Sequence, residues 1–300
     1  MTGQYTDPPI SVAQNEPEAS TLLAAQARLY SDAKRDAALR VVGMAVLGLA
    51  LSVLSMLQSG RTAVGTIGGV LLLLANAALM YRERRCTATA LSVQETFDCS
   101  VFQLPWNDLS VRRRPSGQEI ARAAERYEGD RIHNWYPDTG SAQRPFDIVI
   151  CQQSNVGWGA PVHRAWAWTL VGLSMAWAIF IAAFWTAIGL SALRGMDALV
   201  LPFLPLVWEA FEVSRSSFES ARDKEEVQTK MLSDWASGLD GSVPLTEARC
   251  RGYQDEIAAV RRRNARVPDW FDHRLRHRNE RAMRTTAVQM LAEAHRFGRA

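Results

Sequence analysis

Four apolar stretches, arranged as two closely spaced pairs, constrain this chain of 300 residues more than any other feature. Residues 41–57 and 63–81 form the first pair, and residues 165–190 and 196–213 form the second. A helix needs roughly 20 mainly apolar residues to cross a bilayer core about 30 Å thick. Because the connections within each pair are short, each pair must cross and return. The sequence therefore predicts an all-α membrane protein with four transmembrane helices arranged as two hairpins.

Positive charge is distributed unevenly around these stretches. Lysine and arginine residues stand at the outer ends of all four, whereas each short connection carries a single arginine. Cytoplasmic flanks carry the excess of basic residues, so both termini and the middle region are predicted to be cytoplasmic. The start of the chain is polar and of mixed charge, and no cleavable signal peptide is expected. The flanking cations are Lys34, Arg35, Arg40, Arg82, Arg84, Arg85, Arg164, Arg215, Arg222 and Lys224.

The apolar stretches also divide the chain into parts. The polar parts are predicted to be mainly helical extensions of the spans, because apolar residues recur every three to four positions on both sides of the membrane stretches. The predicted parts are a flexible N-terminus at 1–16, a cytosolic helix at 17–40, a transmembrane hairpin at 41–81, a cytosolic middle region at 82–164, a second hairpin at 165–213 and a cytosolic helical C-terminal region at 214–300.

Several helix boundaries can be predicted within the polar parts. Residues 82–104 lack glycine and proline, so the second span is expected to continue into the cytosol until Pro105. Ser116 and Glu119 have the spacing of a capping box that opens a helix. Two further helices are predicted near 245–265 and 268–297. Residues 146–151 fit a short strand as well as a helical turn, because periodicity does not separate the two.

Signals for catalysis are absent from the sequence. It contains no phosphate-binding P-loop, Rossmann glycine pattern or nucleophile elbow. His273 and His277 have the spacing of a metal-binding pair, but Arg274, Arg276 and Arg278 crowd them and repel a cation. We therefore expect neither an enzyme nor a metal site nor a cofactor.

Polar residues inside the spans are candidates for a pore lining. Asn76 lies within the second span, and Pro202 and Pro205 interrupt the fourth. Glu209 and Glu212 follow on one face, where several copies of the helix could present acidic rings to a cation path. We predict that Asn76, Glu209 and Glu212 line a pore. The alternative is that both glutamates lie at the headgroup boundary of a helix that continues into the cytosol.

Aromatic and arginine residues occur close together in the cytosolic parts. Aromatic faces stack on nucleobases, and guanidinium groups hold phosphates in a bidentate manner, so the combination suits a nucleotide ligand. The same residues could anchor small helical domains or bind anionic lipids. The candidate ligand residues are Trp106, Asn107, Trp135, Tyr136, Arg262, Arg266 and Trp270.

The layout and local motifs together point to a known family. The motifs are Gln14-Asn15-Glu16, residues 22–26, residues 29–34, Phe97-Asp98, residues 101–107 around Pro105-Trp106-Asn107, Asn134-Trp135-Tyr136-Pro137, Cys151-Gln152-Gln153-Ser154-Asn155 and Val267-Pro268-Asp269-Trp270-Phe271. In these motifs, and in the order of its hairpins, the chain resembles the SMODS-associating four-transmembrane effectors of cyclic-oligonucleotide-based anti-phage signalling systems over nearly its full length.

The resemblance implies a membrane-embedded effector in the bacterial inner (plasma) membrane. In such systems a partner nucleotidyltransferase makes a cyclic oligonucleotide, which would be the activating ligand rather than a cofactor. The effector would bind it in the cytosolic region, assemble as a homo-oligomer in the lipid bilayer and permeabilise the membrane, which leads to abortive infection. No binding to DNA or RNA is expected.

Two other functions fit the same sequence. The chain could be a non-enzymatic scaffold or sensor subunit that recruits another effector to the membrane. It could also be an ordinary small channel, although inverted-repeat transporters contain more spans and charge near the middle of the bilayer is scarce here.

Overall fold

The computed structural model describes residues 8–57, 62–264 and 266–300, and within these ranges it is helical without strands. A π-helical turn at Met196–Val200 and a 3₁₀ turn at Leu201–Phe203 precede α7. The α-helices are α1 Ile10–Ala13, α2 Pro17–Met56, α3 Thr62–Phe102, α4 Gly117–Ala124, α5 Phe146–Ala187, α6 Ala192–Gly195, α7 Leu204–Asp240, α8 Glu247–Arg263 and α9 Asp269–Arg296.

Long continuous helices connect the apolar and polar parts of the chain. α5 contains 42 residues and is therefore about 60 Å long, roughly twice the thickness of a bilayer core. α2, α3 and α7 are nearly as long, at 40, 41 and 37 residues. The predicted continuation of these helices beyond their apolar stretches is confirmed, because neither α3 nor α7 breaks where it leaves its apolar stretch.

Two of these helices are long and apolar enough to cross a membrane, among the residues that the structure describes. Their most apolar windows have mean hydropathies of 2.2 in α2 and 1.9 in α5, and only 11% of each window is buried inside the protein. Core helices of soluble proteins bury such windows, so these surfaces are suited to lipid contact. The turn predicted at 58–61 lies outside the described residues.

The fourth apolar stretch is irregular where the sequence places its prolines. Pro202 lies in the 3₁₀ turn, and Pro205 lies in the first turn of α7, where a missing N–H costs no helical hydrogen bond. The break packs against α2 at Gly48, where an added Cβ would lie 2.9 Å from the Pro202 carbonyl oxygen and 3.0 Å from the Phe203 ring. The bare glycine backbone therefore lets the first and fourth stretches approach closely.

One apolar core joins the more polar ends of all the long helices. Its members come from α2, α3, α5, α7, α8 and α9, so the extramembrane parts form a single packed unit. Among its fully buried large side chains are Leu23, Phe97, Phe102, Ile148, Ile150, Met231 and Tyr253. A smaller cluster of Val162, Trp166, Val267 and Phe271 lies where α5 meets the start of α9.

Two sequence-based expectations need adjustment. Residues 146–151, which fitted a strand or a turn, form the start of α5. The segment 1–16, predicted as flexible, contains the short helix α1, and Ile10 within it is fully buried in the core. The side chain of Gln14 donates to the Tyr136 carbonyl oxygen at 3.2 Å and accepts from the Tyr136 N–H at 2.6 Å. These contacts are long-range and leave no local signal in the sequence.

The capping box predicted for α4 is confirmed. The Ser116 hydroxyl accepts from the Glu119 N–H at 3.3 Å, and the Glu119 carboxylate accepts from the Ser116 N–H at 3.0 Å. Arg113 and Ser116 stabilise that carboxylate and lower the pKa of Glu119 to about 2.

Ser116→Ala is expected to destabilise α4 by about 1 kcal/mol, the usual cost of losing an N-cap side chain. Hydrogen exchange should become faster at residues 117–124 while the long helices are unaffected. Equal exchange in the variant and the parent protein would show that the cap does not hold this helix.

Candidate functional site

A buried polar network links α3 to α8 inside the apolar core. We use this name for Glu95, Asp98, Tyr136, Arg251, Gln254 and Arg261. The Arg251 guanidinium donates to Glu95 Oε1 at 2.6 Å, and the Gln254 amide donates to Glu95 Oε2 at 2.9 Å. Glu95 and Gln254 are almost inaccessible to solvent. Charged groups at such depth are tolerated only when partners satisfy them, so the network fixes how α8 sits on α3.

The Asp98 carboxylate accepts three hydrogen bonds within the network. The donors are Arg261 Nη1 at 2.6 Å, Gln254 Nε2 at 2.8 Å and Tyr136 Oη at 2.6 Å. Burial, together with the negative charge of Asp98, raises the pKa of Tyr136 well above its ordinary value. The phenol therefore keeps its proton and remains a donor to Asp98 at all physiological pH values.

Tyr136, predicted to stack on a nucleobase, lies in the core instead of on a surface. Its ring packs against Phe97 and Phe102, with ring centroids 6.0 and 4.9 Å apart. Asn155 donates to its hydroxyl at 3.2 Å. In this conformation its aromatic face is occupied by protein, whereas its neighbour Trp135 is exposed.

Three other predicted ligand residues lie where the loop that follows α3 contacts α8. The Asn107 amide donates to Asp255 of α8 at 2.9 Å, and the Arg262 guanidinium donates to the Ser110 carbonyl. The Arg114 guanidinium lies 5.1 Å from the centre of the Trp106 ring. The structure thus brings Trp106, Asn107 and Arg262 to one side of α8.

A cluster of ion pairs lies where the long helices leave their apolar stretches. We call Arg40, Glu83, Glu209 and Arg266 the junction clasp. Arg40 of α2 contacts Glu83 of α3 at 2.9 Å and Glu209 of α7 at 3.0 Å. Arg266, in the segment between α8 and α9, pairs with the same Glu83 and also donates to Thr87. Glu83 and Arg40 have side chains less than a tenth exposed, so these pairs are shielded from solvent.

The clasp joins one predicted ligand residue to the long apolar helices. Arg266 is held by Glu83 and Thr87 of α3, just beyond the second apolar stretch, and burial beside the Arg40 guanidinium lowers the pKa of Arg266 to about 10. Trp270 is exposed beyond it and meets the edge of Trp166 at 6.0 Å between ring centroids. The seven predicted ligand residues therefore fall into four places. Trp106, Asn107 and Arg262 lie where the loop after α3 meets α8, Trp135 and Tyr136 form one segment, Arg266 lies in the clasp, and Trp270 lies at the start of α9.

Two of the three residues predicted to line a pore form ion pairs within the chain. Glu209 belongs to the clasp, and Glu212 pairs with Arg215 at 2.9 Å on the following turn. Asn76 is half-buried, and its side-chain oxygen has no hydrogen-bond partner within the described part of the protein. Their role in a pore stays a prediction.

Sequence reasoning missed most members of the network and the clasp. Glu95 and Asp98 could have been found, because these two acidic residues lie among Val93, Phe97 and Val101, which recur at helical spacing. Arg40 was predicted only as a flanking cation. It lies 169 residues from Glu209, and Glu83 lies 183 residues from Arg266, and a local pattern does not reveal contacts over such separations.

Open surface features near these residues are small. A groove of about 160 Å³ lies between α7 and the end of α8, with Glu219, Asp223 and Arg263 on its walls. Its two carboxylates do not suit a polyanionic ligand. Among the described residues, no group of histidine, cysteine, aspartate and glutamate side chains is arranged to hold a metal ion.

These features define a helical membrane protein whose packed extramembrane core is continuous with its apolar helices. The family model of the SMODS-associating 4TM effector domain matches residues 8–290. The chain therefore belongs to this family, and the resemblance drawn from its motifs is confirmed. A similar relative is a probable CBASS effector molecule of Bacillus cereus (strain VD146), which is 22% identical over 294 residues. The alignment covers 95% of this chain and 99% of the relative. No solved structure matches the chain.

Proposed function

We propose that this protein is a non-enzymatic membrane effector of CBASS anti-phage defence. A cyclic oligonucleotide from a partner nucleotidyltransferase binds its cytosolic region, and the protein then assembles and permeabilises the inner membrane. The family and the relative named as a probable CBASS effector support the class. The observation that carries the mechanism is the junction clasp, because it ties the cytosolic segment at Arg266 to three apolar helices.

The proposed topology has four passes with both termini in the cytoplasm. α2 and α5 have the composition of membrane spans, and each is followed by a second apolar stretch that returns towards the cytosolic core. Arg164 of α5 pairs with Glu225 of α7 at 2.6 Å, and Trp168 of α5 contacts Phe218 of α7. Since numbers rise on one helix as they fall on the other, α5 and α7 are antiparallel, as a transmembrane hairpin requires.

Activation would act through competition for arginine side chains. In the resting chain Glu83 holds both Arg40 and Arg266. A phosphodiester is an equally good acceptor for a guanidinium, so a bound nucleotide can draw Arg266 away from Glu83. Because α3 is unbroken from its apolar half to its cytosolic half, a movement at the clasp moves the span as well.

This function can be tested in cells that carry the effector together with its nucleotidyltransferase. We expect rapid loss of membrane potential, read with a voltage-sensitive dye, when the nucleotidyltransferase is active and infection begins. The matched control carries a catalytically inactive nucleotidyltransferase and should keep its potential. Growth arrest without depolarisation would contradict permeabilisation and favour a scaffold that recruits another toxic protein.

A further inference from the structure

A buried lysine without a counter-ion lies where α5, α7 and α8 meet. Lys224 of α7 is 8% exposed, and within the described chain it forms neither an ion pair nor a hydrogen bond with a carboxylate. The charged side chain that affects the pKa of Lys224 is Arg261, which is also positive. Arg261 uses Nη1 to bind Asp98, whereas its buried Nη2 has no protein partner.

The ammonium group of Lys224 lies against bare backbone. A Cβ added to Gly159 of α5 would lie 2.2 Å from Lys224 Nζ, so this position is open only because residue 159 is glycine. His163 follows one helical turn later on the same face of α5 and feels the positive charges of Lys224 and Lys34. Burial together with these charges lowers the pKa of His163 to about 2, and the ring is therefore neutral.

Other unpartnered polar atoms near this contact are hydrogen-bond donors or can serve as donors. Ser217, two turns before Lys224 on the same face of α7, is fully buried, and its hydroxyl has no partner among the described residues. The same holds for His163 Nδ1 and Trp166 Nε1 on the facing side of α5. Lysine, arginine and tryptophan side chains only donate, and serine can donate as well. A ligand that only accepts hydrogen bonds, such as a phosphate, complements this set.

The balance of charges around Lys224 also favours an anionic ligand. Around the contact, Lys34 is paired with Asp269 at 2.5 Å and Arg261 with Asp98, which leaves the charge of Lys224 uncompensated. A buried charge without a partner is far more costly than a paired one. Burial, with a smaller contribution from Arg261, lowers the pKa of Lys224 to about 7. Near neutral pH an arriving anion would stabilise the protonated form.

We propose that Lys224, Arg261 and Ser217 form a phosphate-binding site that receives one phosphodiester group of the activating cyclic oligonucleotide. This inference rests on the proposed function and deepens it. Since the site is closed in the resting chain, the ligand binds a conformer in which α7 has moved away from α5 and α8. Binding therefore shifts the population towards that conformer. An anionic lipid headgroup offers the same phosphate chemistry, and the test separates the two sources.

The test compares Lys224→Met with Lys230→Met in the detergent-solubilised full chain. Lys230 is exposed on the same helix and serves as the matched control. Titration with a panel of cyclic di- and trinucleotides should show at least about tenfold weaker binding for Lys224→Met, the effect of losing one charge-assisted hydrogen bond. Gly159→Ala should weaken binding as well, because its Cβ displaces the ammonium group. Lys230→Met should bind as the parent protein does.

Thermal unfolding is the second measurement, and it distinguishes the loss of a phosphate site from a general loss of stability. Without ligand, Lys224→Met should melt at a higher temperature than the parent at pH 7, because an uncompensated charge has been removed. The folded-state pKa lies below the ordinary 10.5, so the penalty is complete below about pH 7 and disappears as pH rises towards 10.5. The stabilisation by Lys224→Met should shrink over that range.

The outcomes separate the site from the function. If the parent protein binds a cyclic oligonucleotide and Lys224→Met binds it equally well, the phosphate site is wrong while the proposed function stands. If no cyclic oligonucleotide binds, but vesicles of phosphatidylglycerol bind the parent and not Lys224→Met, the phosphate site stands and nucleotide activation is wrong. Lysine-dependent binding of a cyclic oligonucleotide supports both.

Discussion

Asp98→Asn is expected to destabilise the extramembrane core by about 3–5 kcal/mol, the usual cost of removing one partner from a buried ion pair. The substitution keeps the shape of the side chain but leaves the Arg261 guanidinium without a counter-ion. It also weakens the acceptor for Gln254 and Tyr136. For a protein of this size the midpoint of thermal unfolding should fall on the order of 10 °C.

Intrinsic tryptophan fluorescence during heating measures this effect, because Trp235 lies in the same core. Asp108→Asn, an exposed acidic residue in the loop after α3, is the matched control and should melt with the parent protein. The double variant Asp98→Asn/Arg261→Met should recover part of the lost stability, since it removes the uncompensated positive charge of Arg261. A melting point of Asp98→Asn within two or three degrees of the parent, about 1 kcal/mol, would show that the network is not a main stabilising element.

Glu83→Gln is expected to make the protein leaky without any nucleotide. Glu83 is the one carboxylate that pairs with both Arg40 and Arg266, so its neutralisation loosens α2, α3 and the α8–α9 segment together. Coupling between sites in proteins has a typical size of 1–3 kcal/mol, which corresponds to a rise in basal leak of about 5- to 150-fold. The leak is measured as dye release from liposomes that contain the purified variant.

The control for this result is Glu256→Gln, which changes an exposed acidic residue on α8 and should leave the basal leak unchanged. Arg40→Gln breaks the same clasp from the other side and should also raise the leak. If Glu83→Gln and Arg40→Gln remain silent without nucleotide while melting as the parent does, the clasp does not restrain the spans. A leak in Glu256→Gln of similar size would contradict the assignment to the clasp.

Much of the helical architecture could be predicted because several helices have a local cause. Proline at position 17 opens α2, the capping box at Ser116 opens α4, and Pro268 separates α8 from α9. The absence of glycine and proline between 82 and 102 lets α3 continue beyond its apolar stretch. Such signals lie within one or two turns of the boundary that they set, so a single sequence shows them.

The sites could be predicted only in part, because their contacts join distant parts of the chain. Arg251 and Glu95 are 156 residues apart, and Arg266 and Glu83 are 183 residues apart. The aromatic and arginine runs pointed to Arg266, which lies in the clasp, but they also pointed to Tyr136, whose ring is buried between Phe97 and Phe102. Residue type alone does not distinguish an exposed aromatic ring that is available to stack on a nucleobase from a ring that packs in a core.

The central claim is that a cyclic oligonucleotide, bound by the cytosolic helices, makes this protein permeabilise the bilayer. Dye release from liposomes that contain only the purified protein tests it most directly, with the product of the partner nucleotidyltransferase added from outside. The account predicts rapid release after addition of the cyclic product, none with its linear hydrolysis product, and none from protein-free liposomes. Tight binding of the cyclic oligonucleotide without any release would contradict the account.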